Sequence, residues 1–166
     1  MPTLIDFSAS EEITRWRAIN DDVMGGVSHG TIYSEGAIGV FSGKLSLTNG
    51  GGFASVRRGH EPMRLSAYPG VIVAVRGDGR QYQLRLYSDQ LSDGATYRGV
   101  FQPPAGEWQR IARPWHAFEA VRRGRLLENA PALAPDAIQQ VGLLIADRCD
   151  GGFRLEIASI ETLDAR

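Results

Sequence analysis

Hydrophobic and polar side chains alternate in short runs along this chain, and glycines separate the runs. Every second position is apolar over residues 71–76, and the same pattern returns over residues 82–86. Alternation of this kind is typical of strands that bury one face. The intervening residues 77–80 contain Asp-Gly, which tolerates the positive φ angles of tight turns, so the two runs are predicted to form a β-hairpin.

The remaining alternating runs extend the same pattern through the chain. Further strands are predicted over residues 31–34, 38–48, 53–57, 96–102, 108–112, 140–146 and 153–162. Helix is expected only as short pieces, over 11–16, 115–120 and 135–139, which are too short to cover a parallel sheet. The number and spacing of the strands predict an all-β fold, a β-sandwich with a few short helical turns.

Length and charge limit the organisation and the partners. A chain of 166 residues with 43% hydrophobic content suits one domain over residues 1–166. Eighteen basic and 19 acidic residues leave a net charge of -1, so we expect neither nucleic-acid binding nor attraction to an anionic membrane. No apolar run is long enough for membrane insertion, and the N-terminal residues lack signal-peptide features, so a cytoplasmic location is expected.

One motif could indicate catalysis. Gly26-Val27-Ser28-His29-Gly30 fits the G-x-S-x-G pattern of serine hydrolases, which is meaningful only where a strand enters and a helix leaves. The residues after Ser28 are strand-like, so we expect a loop leading into a strand, no catalytic residue and no enzyme activity.

Metal and cofactor signals are weak. The histidines are scattered, and Cys149 is the only cysteine. Asp21, Asp22, Asp147 and Asp150 could meet around a calcium ion, but their spacing is not that of an EF-hand loop, so solvated loop acids are the favoured interpretation. No metal and no cofactor are expected.

Several motifs together resemble one known family. They are Trp16 followed by Asn20-Asp21-Asp22-Val23-Met24-Gly25-Gly26-Val27-Ser28, then Phe41-Ser42-Gly43, residues 49–57, Arg76-Gly77-Asp78-Gly79-Arg80-Gln81-Tyr82, Gly106-Glu107-Trp108-Gln109 and Gly152-Phe153-Arg154-Leu155-Glu156-Ile157. In these the chain resembles the complex I intermediate-associated protein 30 family over nearly its whole length. The resemblance implies a jelly-roll β-sandwich of the galactose-binding-like type and a non-catalytic role in assembling respiratory complexes.

Polar residues concentrate around three loops, which are the candidate binding face: residues 20–28, 49–57 and 122–125. The candidate partner- or ligand-binding residues are Asn20, Asp21, Asp22, Met24, Ser28, Asn49, Arg57, Arg76, Asp78, Tyr82 and Arg123. The arginines Arg57, Arg76 and Arg123 would pair with carboxylates. Some of those carboxylates could be internal, such as Asp21 or Asp78, and these residues would then support the fold instead of a ligand.

Two functions follow from this sequence. The first is an assembly-factor or chaperone-like module that binds a protein partner, such as a subunit of a respiratory or other membrane complex. The alternative is a carbohydrate-binding β-sandwich module. For that function, aromatic residues would stack on a sugar ring, the candidates being Tyr82, Tyr87, Tyr97 and Trp115. Trp108 and Phe53 are expected in the core.

Overall fold

Two antiparallel sheets pack face to face in the computed structural model, which describes residues 3–20, 28–48 and 52–164. Sheet A contains β1 (Thr3–Asp6), β3 (His29–Glu35), β4 (Ile38–Leu45), β6 (Gly70–Arg76), β9 (Trp108–Pro114) and β13 (Gly151–Thr162). Its order is β3-β4-β13-β6-β9, and β1 pairs with the second half of β13. The twelve-residue strand β13 therefore joins three partners in one sheet.

The second sheet faces the first one. Sheet B contains β2 (Trp16–Ala18), β5 (Ala54–Arg58), β7 (Tyr82–Ser88), β8 (Thr96–Phe101), β10 (Glu119–Arg122), β11 (Arg125–Leu126) and β12 (Ile138–Ile145). Their order is β11-β10-β8-β7-β12-β5-β2. The strands β11 and β2 are thus its opposite edges.

The core lies between the sheets, where the apolar members of each alternating run meet. Val73 and Val75 of sheet A and Leu84 and Leu86 of sheet B are among its buried side chains. Removing these side chains from water is the main force holding the layers together. The predicted all-β sandwich is confirmed, and 3-10 turns at Glu12–Arg15, Trp115–Ala117 and Pro135–Ala137 lie where short helical pieces were expected.

The predicted hairpin between residues 71–76 and 82–86 is wrong. β6 pairs with β9 and β13 in sheet A, whereas β7 pairs with β8 and β12 in sheet B. Residues 77–81 therefore carry the chain from one sheet to the other. Two alternating runs can bury their apolar sides either as hydrogen-bonded neighbours in one sheet or as members of two sheets packed face to face. Here the two runs belong to opposite sheets.

A buried ion pair ties the first 3-10 turn to sheet B. The carboxylate of Glu12, which is 3% exposed, accepts hydrogen bonds from Trp16 Nε1 at 2.9 Å and Arg58 Nε at 2.8 Å. Arg58 is 4% exposed and also pairs with Glu61 at the surface. Each polar group in this small network has a partner, as burial requires.

One glycine of sheet A is required by close packing. A Cβ atom at Gly39 in β4 would lie 2.7 Å from the ring of Phe7, which is almost completely buried. Phe7 in turn packs on Trp16, with the ring centroids 5.5 Å apart. Gly39 therefore makes room for an aromatic pair at one end of the core.

Within the described residues, none of the helices has the length and apolar character needed to cross a membrane.

Candidate functional site

Four predicted site residues lie outside the described residues, namely Asp21, Asp22, Met24 and Asn49. Asn20, which precedes them, holds the end of the first loop against both sheets. Its amide nitrogen donates to the carbonyl oxygen of Gly30 in β3, and its amide oxygen accepts from the backbone N–H of Ser55 in β5, each at 3.3 Å. The structure therefore brings Asn20 next to the strand that carries Arg57.

Ser28 lies directly before β3 and is 3% exposed. Its hydroxyl accepts a hydrogen bond from Ser46 N at 2.8 Å and donates one to Ser46 O at 2.9 Å. A strand follows Ser28, as the sequence indicated, so the strand-turn-helix geometry that exposes a nucleophilic serine is not formed here. The hydroxyl joins two segments of backbone.

Asp78 and Tyr82 form a buttress where the chain passes between the sheets. The Asp78 carboxylate accepts hydrogen bonds from the Tyr82 hydroxyl at 3.0 Å and from the backbone N–H of Arg154 at 2.7 Å. Tyr82 is completely buried, and burial raises the pKa of its hydroxyl, as does the adjacent carboxylate. Both predicted site residues thus bond to the fold itself.

Arg80 continues this buttress, although it was not among the predicted site residues. Its guanidinium makes a two-pronged pair with Asp147, at 2.8 and 2.6 Å, and donates to the carbonyl oxygens of Gly151 and Gly152. Although burial raises the pKa of Asp147, the Arg80 guanidinium holds it below its usual value overall. The pair binds the end of β12 to the start of β13.

Of the four acids considered for calcium binding, the two that the structure describes bind other groups of the protein. Asp147 pairs with Arg80, and Asp150 accepts a hydrogen bond from Leu47 N at 2.7 Å. Over residues 3–20, 28–48 and 52–164, no group of three His, Cys, Asp or Glu side chains is placed to hold a metal ion.

Arg76 pairs with a carboxylate, as expected for this arginine, but the partner is Glu156. Arg76 Nη2 lies 2.8 Å from Glu156 Oε1 across the β6–β13 pairing. The Arg76 guanidinium also lies 5.5 Å from the ring of Trp108. The expectation that Trp108 belongs to the core is wrong, because it is 44% exposed on the edge strand β9, where its ring lies beside the Arg76 guanidinium.

Arg123 is separated from the other candidate residues. It occupies the turn between β10 and β11 with a φ of 51°, at one edge of sheet B. Arg57 lies near the other edge, with four strands between β11 and β5. Arg123 and Arg57 therefore do not lie on one continuous binding face.

The outer face of sheet B carries four arginines at facing positions of neighbouring strands. Arg17 faces Arg57, Arg57 faces Gly142, Gly142 faces Arg85, and Arg85 faces Arg98. Directly opposed residues point to the same side of a sheet. We call Arg17, Arg57, Arg85 and Arg98 the arginine row.

Most of the arginine row is not neutralised by acids. Among the described residues, only Arg98 forms an ion pair, with Glu119 at 3.3 Å. Arg85 instead donates to the neutral oxygens of Gln83 and Thr96, each at 2.8 Å. Burial lowers the pKa of the Arg85 guanidinium, and the positive charges of Arg98 and Arg57 lower it further.

Arg57 is held by an aromatic ring. Its guanidinium carbon lies 4.4 Å from the centre of the Tyr87 ring, a cation–π contact. The Nε atoms of Arg57 and Arg98 are buried and have no hydrogen-bond partner. Sequence reasoning named only Arg57 of this row, because the strand order that aligns it with the other three cannot be read from the alternation.

The fold places this chain in a class of β-sandwiches that includes carbohydrate-binding modules. It is similar to the family 11 carbohydrate-binding module of Clostridium thermocellum, solved with a β-1,3-1,4-mixed-linked tetrasaccharide. That match has a TM-score of 0.70 and 16% identity, and it covers 99% of this chain and 95% of that one. An agarase matches with a TM-score of 0.71 and 12% identity, over 100% of this chain and 26% of the agarase. The jelly-roll, galactose-binding-like architecture implied by the sequence resemblance is confirmed.

The chain belongs to the complex I intermediate-associated protein 30 family, which matches residues 5–157. A relative from Caenorhabditis briggsae, named a probable mitochondrial complex I intermediate-associated protein 30, is 28% identical over 91% of this chain and 51% of its own length. The mitochondrial complex I intermediate-associated protein 30 of Drosophila melanogaster is 26% identical over 93% of this chain and 60% of its own length. The chain thus spans little more than half the length of these relatives.

Proposed function

We propose that this chain is a non-catalytic binding module that acts as an assembly factor for a respiratory complex. Membership of the complex I intermediate-associated protein 30 family, over residues 5–157, is the observation that carries the proposal. The names of the relatives describe association with intermediates of complex I. A chaperone-like function, in which the module holds a partner subunit until it is incorporated, is the form of this role that we favour.

The state of the polar residues supports a binding role. Ser28 and Asp78, which could have suggested chemistry, are both hydrogen-bonded to backbone groups of the fold. The arginine row, in contrast, presents guanidinium groups that pair with few of the protein's own acids. A surface of this kind is suited to recognising a partner through directed hydrogen bonds.

The partner would be a subunit of a respiratory or other membrane complex. The two relatives compared above are named mitochondrial, whereas a cytoplasmic location was expected for this chain from its N-terminal residues. The location stays a prediction, and fractionation of source cells with an antibody to the chain would test it.

The arrangement of aromatic residues disfavours carbohydrate binding as the alternative. Tyr82 and Tyr97 are buried in the sandwich, with exposures of 0% and 1%. Arg57 lies over the ring of Tyr87, and Trp115 is partly buried against the core with its ring 6.2 Å from that of Phe118. The rings proposed for sugar stacking are therefore largely occupied by the protein's own groups. The similarity to carbohydrate-binding modules supports the fold alone.

The experiment is removal of the gene from its source organism, followed by native gel electrophoresis of the respiratory complexes. We expect less mature complex I and an accumulation of its partly assembled forms, with both defects reversed by the wild-type gene. A tagged chain should migrate with the partly assembled forms. Unchanged amounts of complex I after gene removal would refute the assembly role.

A second arm of the same experiment separates binding from catalysis and from sugar recognition. The Ser28→Ala variant should restore assembly as well as wild type, provided that its thermal unfolding shows it to be folded. Affinity electrophoresis in gels containing mixed-linked glucan should show no retardation of the pure chain. Retardation in glucan gels together with normal assembly in the deletion strain would support the carbohydrate-binding alternative instead.

A further inference from the structure

The arginine row has the spacing of a binding site for an extended chain. It runs across five neighbouring strands, from β2 through β5, β12 and β7 to β8. Strands lie about 4.8 Å apart, so the row extends over about 19 Å, the length of roughly six residues of an extended peptide. A peptide crossing the strands of sheet B would therefore pass each of the four guanidinium groups.

Arginines outside the row commonly form ion pairs with acidic side chains of this molecule. Arg58, Arg76, Arg80, Arg110 and Arg154 each form an ion pair with a glutamate or aspartate. In the part of the chain that the structure describes, Arg17, Arg57 and Arg85 form none. Three neighbouring arginines without acids leave a local excess of positive charge on a protein whose net charge is -1.

The guanidinium groups at the centre of the row are already held in place. Arg57 rests on the ring of Tyr87, and Arg85 is fixed by Gln83 and Thr96. Gly142 lies between them and allows this packing, because a Cβ atom there would lie 3.2 Å from Cε1 of Tyr87. Pre-positioned side chains lose little freedom when a ligand binds, which favours affinity.

We propose that the arginine row binds an acidic peptide segment of the partner protein, whose side-chain carboxylates accept paired hydrogen bonds from Arg57 and Arg85. Planar guanidinium groups match carboxylates in this two-pronged geometry. A single-stranded nucleic acid would need open aromatic surfaces for its bases, whereas the ring of Tyr87 is covered by Arg57. The proposal rests on the proposed function only in taking the partner to be a protein.

The test is fluorescence anisotropy with a labelled nine-residue peptide in which glutamate and threonine alternate. A matched peptide has glutamine in place of glutamate. We expect the acidic peptide to bind and the glutamine peptide not to bind, and we expect Arg57→Gln and Arg85→Gln each to weaken binding at least tenfold. Arg64→Gln is the matched control, because it removes the same charge from an exposed position between β5 and β6, outside the arginine row, and should leave binding unchanged.

Arg17→Gln is a second variant that should fold normally, since Arg17 is exposed and its guanidinium has no hydrogen bond or ion pair to another described residue. It should weaken binding by a smaller factor without changing thermal unfolding. Equal binding of the two peptides, or equal affinity of wild type and the Arg57 and Arg85 variants, would overturn the proposal. Stronger binding of a single-stranded oligonucleotide or of inorganic phosphate at the same arginines would also reject it, in favour of a phosphate ligand.

The outcome also separates this proposal from the assembly role. If the Arg57→Gln and Arg85→Gln variants restore complex I assembly fully in the deletion strain, the arginine row is not the partner site, although the assembly role stands. If the pure chain binds the acidic peptide through these arginines but gene removal leaves complex I unchanged, the assembly role fails and the peptide site remains.

Discussion

Replacing Glu12 by alanine is expected to destabilise the protein strongly, because it removes the buried partner of the Arg58 guanidinium and leaves it paired only with the exposed Glu61. The Arg58 side chain is 5% exposed, and the Glu12 carboxylate contacts it through both oxygens, at 2.8 and 3.3 Å. Burial alone lowers the pKa of Arg58, but the two glutamates Glu12 and Glu61 raise it overall. Arginine keeps its charge in proteins even where burial disfavours it, so the guanidinium stays charged in the variant, and Trp16 Nε1 also loses its acceptor.

The size of the effect follows from these contacts. Removing one partner of a buried ion pair reduces the free energy of unfolding by about 3–5 kcal/mol. A domain of this kind has a total of about 5–15 kcal/mol, so the variant would retain only part of its stability. For a chain of this length each kcal/mol shifts the melting temperature by about 2–4 °C, which gives an expected decrease of about 6–20 °C.

The matched control is Glu61→Ala, which removes the other carboxylate from the same guanidinium. The Glu61 side chain is 61% exposed, so solvent screens its interaction and the expected loss is about 0–1 kcal/mol. Urea denaturation followed by tryptophan fluorescence measures both variants. A loss below about 1.5 kcal/mol for Glu12→Ala, or equal losses for the two variants, would refute the argument from burial.

Three further outcomes are expected. Gly39→Ala should lower the free energy of unfolding by about 1–3 kcal/mol, because the added methyl group would clash with the ring of Phe7. In urea denaturation the double variant with Phe7→Leu should recover part of that loss, and no recovery would contradict this explanation. Because Arg80 holds the pKa of Asp147 below its usual 3.8, the stabilisation from this pair is fully present above pH 3.8 and is lost as the pH falls through the lowered value. Unfolding measured from pH 7 to pH 2 should therefore show a smaller acid-dependent loss for Asp147→Asn than for wild type, and identical slopes would count against it. Ser28→Ala should lower the melting temperature and leave the pure protein without esterase turnover; a turnover that depends on the serine would overturn the structural role assigned to Ser28.

The period of the alternating runs was enough to predict most strands, because burial of one face imposes a two-residue repeat wherever a strand covers a core. The partner of each strand was not predictable from that period. Residues 71–76 and 82–86 show the difference, since their pattern is the same whether they pair or face each other. The local turn signal at Asp78-Gly79 suggested pairing, whereas in the structure this segment crosses between the sheets and Asp78 is hydrogen-bonded there to Tyr82 and to Arg154 N.

The candidate site was predictable only where neighbours in sequence are neighbours in space. Asn20 and Arg57 were recognised from local motifs, and the structure places Asn20 against β5, the strand that carries Arg57. Arg85 and Arg98 carry no motif, and they become notable only when β7 and β8 are set beside each other in register. Arg123 was grouped with Arg57 because both lie in segments rich in polar residues, although the sheet order separates them.

The position of β13 has a consequence for how this domain forms during synthesis. Its partners β1, β4 and β6 are completed by residue 76, whereas β13 itself begins only at Gly151. Until the ribosome has made the intervening stretch, the edges of these three strands stay open to other chains, and such open edges promote aggregation. We therefore expect nascent chains stalled before β13 to depend on molecular chaperones, and full-length chains to fold slowly because their contacts are distant in sequence.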